Sequence, residues 1–139
     1  ELTITFARVL QKLGSEHVLV VHGEDGMDEI SITGKTFIAE LKDNVIKEYT
    51  IEPSLFKLKA GSLKDIVVKD SSHSKKMILD ILNGKLSVGR DITLLNAGAA
   101  IYISGLANDI DSGILIAADM IDQGKATEKL NELITSSND

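Results

Sequence analysis

Glycine cuts this sequence into segments whose hydrophobic period can be read one at a time. Phe6, Val9, Leu10 and Leu13 recur at helical spacing, and Gly14 follows as a C-terminal cap. The opening Leu2-Thr3-Ile4-Thr5-Phe6-Ala7-Arg8 reads as a helix already under way. Next comes the β-branched apolar run His17-Val18-Leu19-Val20-Val21-His22, which stops at Gly23. Such a run predicts a strand buried on both faces, as in a parallel sheet. A helix feeding a buried strand is half of an α/β unit. Residues 24–35 form an acidic loop containing Gly26 and Gly34. The stretches 36–41 and 45–51 flank Asp43-Asn44, two residues that tolerate positive φ, which predicts a hairpin closed by Pro53.

The second half reads as helix. After an irregular span over 54–71, one helix runs from about Ser72 to Gly84, carrying Met77, Ile78, Ile81 and Leu82. Another runs from about Asp91 to Ser104 and ends at Gly105. Its Ala97-Gly98-Ala99-Ala100 segment offers so little side chain that a neighbour can approach closely. Asp109 is the expected N-cap of a helix carrying Ile110, Ile114, Ala117 and Ile121. Gly124 separates it from a last helix with Leu130, Leu133 and Ile134. The expected division is one domain over 1–135 and a frayed tail over 136–139. One buried strand with few candidate parallel partners makes an unbalanced fold, which points to a missing upstream part.

Composition removes several function classes. The 139 residues contain no cysteine, so disulfides, thiolate zinc sites and cysteine nucleophiles are excluded, in keeping with a cytoplasmic setting. No apolar run is long enough to span a bilayer, and no signal peptide opens the chain. The net charge of −6 and the scattered lysines disfavour a nucleic-acid partner. There is no nucleophile elbow, no P-loop and no dinucleotide fingerprint.

The segment that carries chemistry is His22-Gly23-Glu24-Asp25-Gly26-Met27-Asp28-Glu29. Its four carboxylates lie just past the C-terminal end of the predicted strand, where open α/β sheets bind ligands. Adjacent Asp28 and Glu29 could hold one or two hard divalent cations; magnesium binds through one or two carboxylates, with phosphates and water completing its shell. On spacing alone, a solvated acidic surface loop is the commoner meaning of such a segment. His22, at the strand end, reads as a structural histidine in preference to a phosphate contact; His17 and His73 read as surface residues. Asn96 reads as a residue hydrogen-bonded inside the core.

Three motifs together carry a resemblance. Val20 to Ser31 resembles the acidic magnesium loop of anthranilate phosphoribosyltransferases. Leu94-Leu95-Asn96-Ala97-Gly98-Ala99-Ala100-Ile101-Tyr102 resembles their small-residue helix. Asp122-Gln123-Gly124-Lys125-Ala126, followed by Leu130, resembles their C-terminal signature. Order and spacing agree over nearly the whole chain. One departure is visible after Pro53, where Leu55-Phe56-Lys57 stands in place of an Asp-Phe-Gly-like stretch.

The resemblance implies an α/β fold, the C-terminal portion of the nucleoside phosphorylase/phosphoribosyltransferase catalytic domain, with helices packed on a partial mixed sheet. It implies a parent enzyme of tryptophan biosynthesis that transfers phosphoribose from phosphoribosyl pyrophosphate to anthranilate with Mg2+ as cofactor. Asp28 and Glu29 match its metal-binding pair. The family's phosphate-cradling glycine loop and its amine-positioning arginine are not among these residues, and are expected upstream of Glu1. The isolated chain is therefore expected to be inactive, and to self-associate through the surface those parts would cover. The alternatives are a pyrimidine nucleoside phosphorylase, which the Asp28-Glu29 pair disfavours, and a catalytically inert or nucleic-acid-binding relative of the same fold.

Overall fold

The computed structural model describes residues 2–138, and its elements follow the glycine segmentation. Helix α1 (Leu2–Lys12) ends at Gly14, whose φ of 89° is the left-handed turn that releases the chain into β1 (His17–Gly23). After the acidic loop, β2 (Thr36–Lys42) and β3 (Val45–Ile51) form the expected hairpin. Asp43 and Asn44 take φ of 50° and 60°, the paired positive values of a tight two-residue hairpin turn. Gln11 steadies the tip, its Nε2 donating to the Asn44 carbonyl at 2.8 Å and to Asn44 Oδ1 at 2.9 Å.

The sheet is three-stranded in the order β1-β2-β3, with Val20 opposite Ala39 and Ile38 opposite Tyr49. Alternation along central β2 puts Ala39 and Leu41 on the face covered by α1, and Ile38 and Glu40 on the face covered by α3. The α/β class and the helices flanking a sheet are as expected.

The direction of pairing differs from expectation. Both ladders are antiparallel, and β1 is half-buried along most of its length. Its β-branched run suits a strand whose second edge has no partner among the described residues as well as it suits a parallel core strand. Helix α1 differs in the same way. Its apolar stripe is real, but Phe6, Val9 and Leu13 are 56%, 47% and 76% exposed, and the residue it buries is Ala7. The small Ala7 lets α1 lie close to the sheet, with Ile4 and Leu10 half-buried beside it, while Phe6 and Val9 face outward.

Two 3-10 turns, Pro53–Phe56 and Leu63–Asp65, occupy the irregular span. Lys57 takes φ 58°, a left-handed value that favours glycine. Helix α2 (Ser71–Leu82) is capped by Asp70, which accepts from the His73 N–H at 2.7 Å. Helix α3 (Val88–Ile103) starts three residues earlier than Asp91, because Ser87 caps it by accepting from the Arg90 N–H. Asp109 caps α4 (Ile110–Asp122) as expected. Helix α5 (Lys125–Ser137) follows Gly124 and stays helical through Ser137; Asp139 lies outside the described residues.

The small-residue segment of α3 does bring a neighbour close. A Cβ on Gly98 would lie 2.6 Å from the Ile114 nitrogen, and one on Gly113 would lie 2.2 Å from the Gly98 carbonyl oxygen. Helices α3 and α4 therefore touch backbone to backbone. Leu94, Leu95, Ile110 and Ile114 join Ile30, Ile38 and Ile51 of the sheet side in one core. Arg90, nearly buried, reaches the far end of α4 through a 2.7 Å ion pair with Asp122.

A candidate metal-binding loop

Strand β1 delivers the chain into a turn that only particular residues can make. The Gly23 N–H donates to the Met27 carbonyl at 2.9 Å, and the Gly26 N–H returns to the Gly23 carbonyl at 2.9 Å. Gly26 holds φ 91°, and a Cβ on Gly23 would meet the Asp25 carboxylate at 2.5 Å. The left-handed turn favours glycine at 26, whereas a side chain at 23 would have to displace the Asp25 carboxylate.

The four carboxylates then divide by role. Asp25 is consumed by the loop itself. It accepts from Ser31 Oγ at 2.6 Å, from Thr33 Oγ1 and from the Met27 N–H at 3.2 Å. Partial burial works to raise its pKa, but the hydrogen bonds from Ser31, Thr33 and Met27 outweigh it and leave the carboxyl below its ordinary value. Buried Ser31 and Thr36 complete the scaffold, with the Ser31 N–H donating to Thr36 Oγ1 at 2.9 Å. Glu24 is exposed.

Asp28 and Glu29 are the pair left over. Both are exposed, and neither has a hydrogen-bond or ion-pair partner among the described residues. Desolvation, then the neighbouring Asp28 charge, raises the Glu29 pKa above its ordinary value. Two adjacent acids that repel each other and bond nothing have an electrostatic reason to take up a cation. Asp28 borders an open cleft of about 470 Å³ between α1 and the sheet, shared with Phe6, Val20, His22 and Phe37. Glu29 borders a different groove, with Met27, Leu63, Met77 and Ile92. Among the described residues, no group of three or more His, Asp or Glu is placed to hold a metal ion. One or two carboxylates are the number that magnesium takes from protein when phosphate and water oxygens complete its shell, whereas an all-protein cage of the calcium kind would need more.

Asn96 is half-buried and has the structural hydrogen-bonding role expected of it, bonding the backbone of Ile30, the residue that follows Glu29. The sequence carried no signal for that partner, 66 residues away. Nor did it signal the second polar cluster, at the opposite end of the sheet. There Glu40 accepts from Tyr102 Oη at 2.6 Å and Tyr49 Oη at 3.0 Å, and pairs with His17 Nε2 at 3.0 Å. His17 is not the surface residue expected: its ring stands edge-on to Tyr102, 4.8 Å between centroids, and only 16% of its side chain is exposed. Burial pushes the Glu40 carboxyl up, and the hydrogen bonds from Tyr102, His17 and Tyr49 overcome that and hold it below the ordinary value. Burial, with Glu40 opposite, pushes the Tyr49 phenol far above its usual range. His73 is partly exposed on α2, and His22 is exposed beside Asp28. No helix among the described residues is long and apolar enough to cross a membrane.

Comparison with known proteins bears on the family and the fold. The anthranilate phosphoribosyltransferase of Methylobacillus flagellatus is 47% identical over 133 residues, covering 96% of this chain and 39% of that protein. That of Nitrosomonas eutropha is 44% identical, covering 99% of this chain and 40% of the relative. The chain thus spans about two fifths of the length of the curated relatives it matches. Among solved structures, the anthranilate phosphoribosyltransferase of Thermus thermophilus superposes with a TM-score of 0.87 at 25% identity, over 96% of this chain and 39% of that one. A variant of the Saccharomyces cerevisiae enzyme with Mg bound superposes with a TM-score of 0.85 at 25% identity, over 97% and 40%. The family described as "Glycosyl transferase family, a/b domain" matches residues 1–127. The chain belongs to the glycosyl transferase family, and what it presents is part of the a/b domain that the family shares with anthranilate phosphoribosyltransferases.

Proposed function

We propose that this chain is the cation-holding part of an anthranilate phosphoribosyltransferase, with Asp28 and Glu29 as its metal ligands. The observation that carries the reading is the division of labour in the acidic loop. Asp25 is locked into the turn, while Asp28 and Glu29 are left exposed, unpartnered and mutually repelling beyond the end of β1. A relative of the same family holds Mg in its solved structure, and another structure of the yeast enzyme, at 25% identity, holds 4-fluoroanthranilate.

In the proposed reaction the bond between ribose C1 and pyrophosphate breaks, and pyrophosphate leaves with the electron pair. The anthranilate nitrogen forms the new bond to C1 and sheds a proton. When bound, magnesium supplies charge neutralisation of the departing pyrophosphate. Asp28 and Glu29 bind and orient; neither acts as nucleophile or general base. Two carboxylates without substrate phosphate should hold the ion weakly, because magnesium surrenders water reluctantly. The isolated chain is proposed to be inactive, since it corresponds to only about two fifths of its enzyme relatives. We also propose that it self-associates through the outer edge of β1 and the exposed stripe of α1, a strand edge being a template for pairing.

Loss of anthranilate fluorescence with phosphoribosyl pyrophosphate and magnesium tests the reading. The chain alone should give no turnover, and a mixture with the N-terminal three fifths of a relative should give turnover that Asp28→Asn abolishes. Turnover by the chain alone, or a complemented mixture indifferent to Asp28→Asn, would overturn it.

A further inference from the structure

The acidic loop is gripped from outside as well as from within. Ile30 is only 2% exposed, and its backbone is held by α3. Asn96 Oδ1 accepts from the Ile30 N–H at 2.9 Å, and Asn96 Nδ2 donates to the Ile30 carbonyl at 2.9 Å. The same Nδ2 donates to the Ile92 carbonyl at 3.0 Å, one turn back in its own helix. A side-chain amide that closes on both backbone groups of one residue does what a neighbouring strand would do, fixing the position and the rotation of that residue.

On the other side of the pair, the Asp25 carboxylate holds the Met27 N–H, and the Met27 carbonyl accepts from Gly23. Asp28 and Glu29 are therefore the two residues strung between two fixed points, Met27 and Ile30. One fixed point is local to the loop. The other combines the burial of the Ile30 side chain in the core with the backbone grip of Asn96.

We propose that Asn96 is the positioning residue of the acidic pair. By pinning Ile30, it sets the orientation at which Asp28 and Glu29 meet a divalent cation. This rests on the reading that the pair takes the cation. The physical gain is preorganisation, since ligands already fixed lose less freedom when the ion arrives. Groups that orient metal ligands from behind typically change metal affinity 10–100-fold when removed.

Asn96→Ser isolates the effect. The serine hydroxyl can return to the Ile92 carbonyl, as Thr93 Oγ1 already does to Gly89 at 2.8 Å, but it is too short to reach Ile30. Thr127→Val serves as a structural control, because it removes a 3.1 Å bond to the Leu82 carbonyl away from the loop. Binding of manganese in the presence of pyrophosphate would be followed by the spin resonance of the free ion. Exchange of the Ile30 amide would be followed by NMR.

Asn96→Ser is expected to weaken manganese binding about tenfold and to speed exchange at Ile30. Thr127→Val should do neither at a comparable loss of melting temperature. If Asn96→Ser binds manganese no worse than Thr127→Val while Asp28→Asn binds it worse, the positioning role is overturned and the reading of the pair survives. If Asp28→Asn leaves affinity unchanged, both fall. Should Asn96→Ser fail to fold, the unsubstituted chain still decides. Manganese is paramagnetic, so here magnesium with pyrophosphate must slow Ile30 amide exchange, and no change overturns the proposal.

Discussion

Gly113→Ala should destabilise this protein although it replaces a helix-interior glycine by the best helix former. The added Cβ would stand 2.2 Å from the Gly98 carbonyl oxygen, 2.9 Å from its carbon and 3.1 Å from its Cα. A carbon–oxygen contact needs about 3.3 Å, so α4 must retreat by roughly 1 Å or tilt. The obstructing atoms are backbone and cannot rotate away. Overpacking of this kind costs about 1–3 kcal/mol, and rigid backbone on both sides puts this site at the upper end. The intrinsic preference of helix for alanine returns about 1 kcal/mol. The net expectation is about 2 kcal/mol of lost stability, or roughly 6–8 °C in melting temperature for a chain of this size. Thermal and urea unfolding followed by circular dichroism measures it. Gly34→Ala is the control: its Cβ would meet only the Glu24 carboxylate, at 3.9 Å, and it should stay within about 0.5 kcal/mol of the parent. A Gly113→Ala protein as stable as the parent, or as stable as Gly34→Ala, would refute the claim that α3 and α4 pack backbone to backbone.

Glu40 has a depressed folded pKa, so its network contributes stability that is fully present above the ordinary value of 4.5 and is lost as pH falls through the lower folded value. Acid unfolding of Glu40→Gln should accordingly depend less steeply on pH below 4.5 than that of the parent; an unchanged acid limb would count against the network. Lys57→Gly should raise the unfolding free energy by about 0.5–1 kcal/mol, seen as a higher urea midpoint, because it relieves a left-handed conformation at φ 58°; a lower midpoint would contradict the strain argument. Light scattering should find the isolated chain associated at high concentration, and a monodisperse monomer would remove the role given to the β1 edge and the α1 stripe.

What the sequence made legible was local. The hairpin turn at Asp43-Asn44, the Asp109 cap and the close approach at Gly98 each depend on one or two residues whose backbone or size preference admits few alternatives. What it left illegible was partnership. The run from His17 to His22 specifies a strand but not its neighbour, so the antiparallel pairing with β2 was not visible. Phe6, Val9 and Leu13 specify an amphipathic helix but not whether anything in the chain covers them. The acidic loop was recognisable by composition, and adjacency with the family resemblance singled out Asp28 and Glu29, but nothing set Asp25 apart from Glu24 as the acid that folds the loop. That distinction depends on Ser31 and Thr33, whose hydroxyls look like ordinary loop polarity until they close on one carboxylate. Asn96 and Ile30 come together only because α3 packs behind the loop, and His17 and Tyr102 only because the same helix crosses the sheet.

The most direct test of the central claim is to locate the cation. Manganese added with pyrophosphate to isotope-labelled chain broadens the amide signals nearest to it. The account predicts broadening centred on Met27 to Ile30, with the signal loss abolished by Asp28→Asn. Broadening centred instead on another acidic surface, such as Glu128 with Glu132, would contradict it.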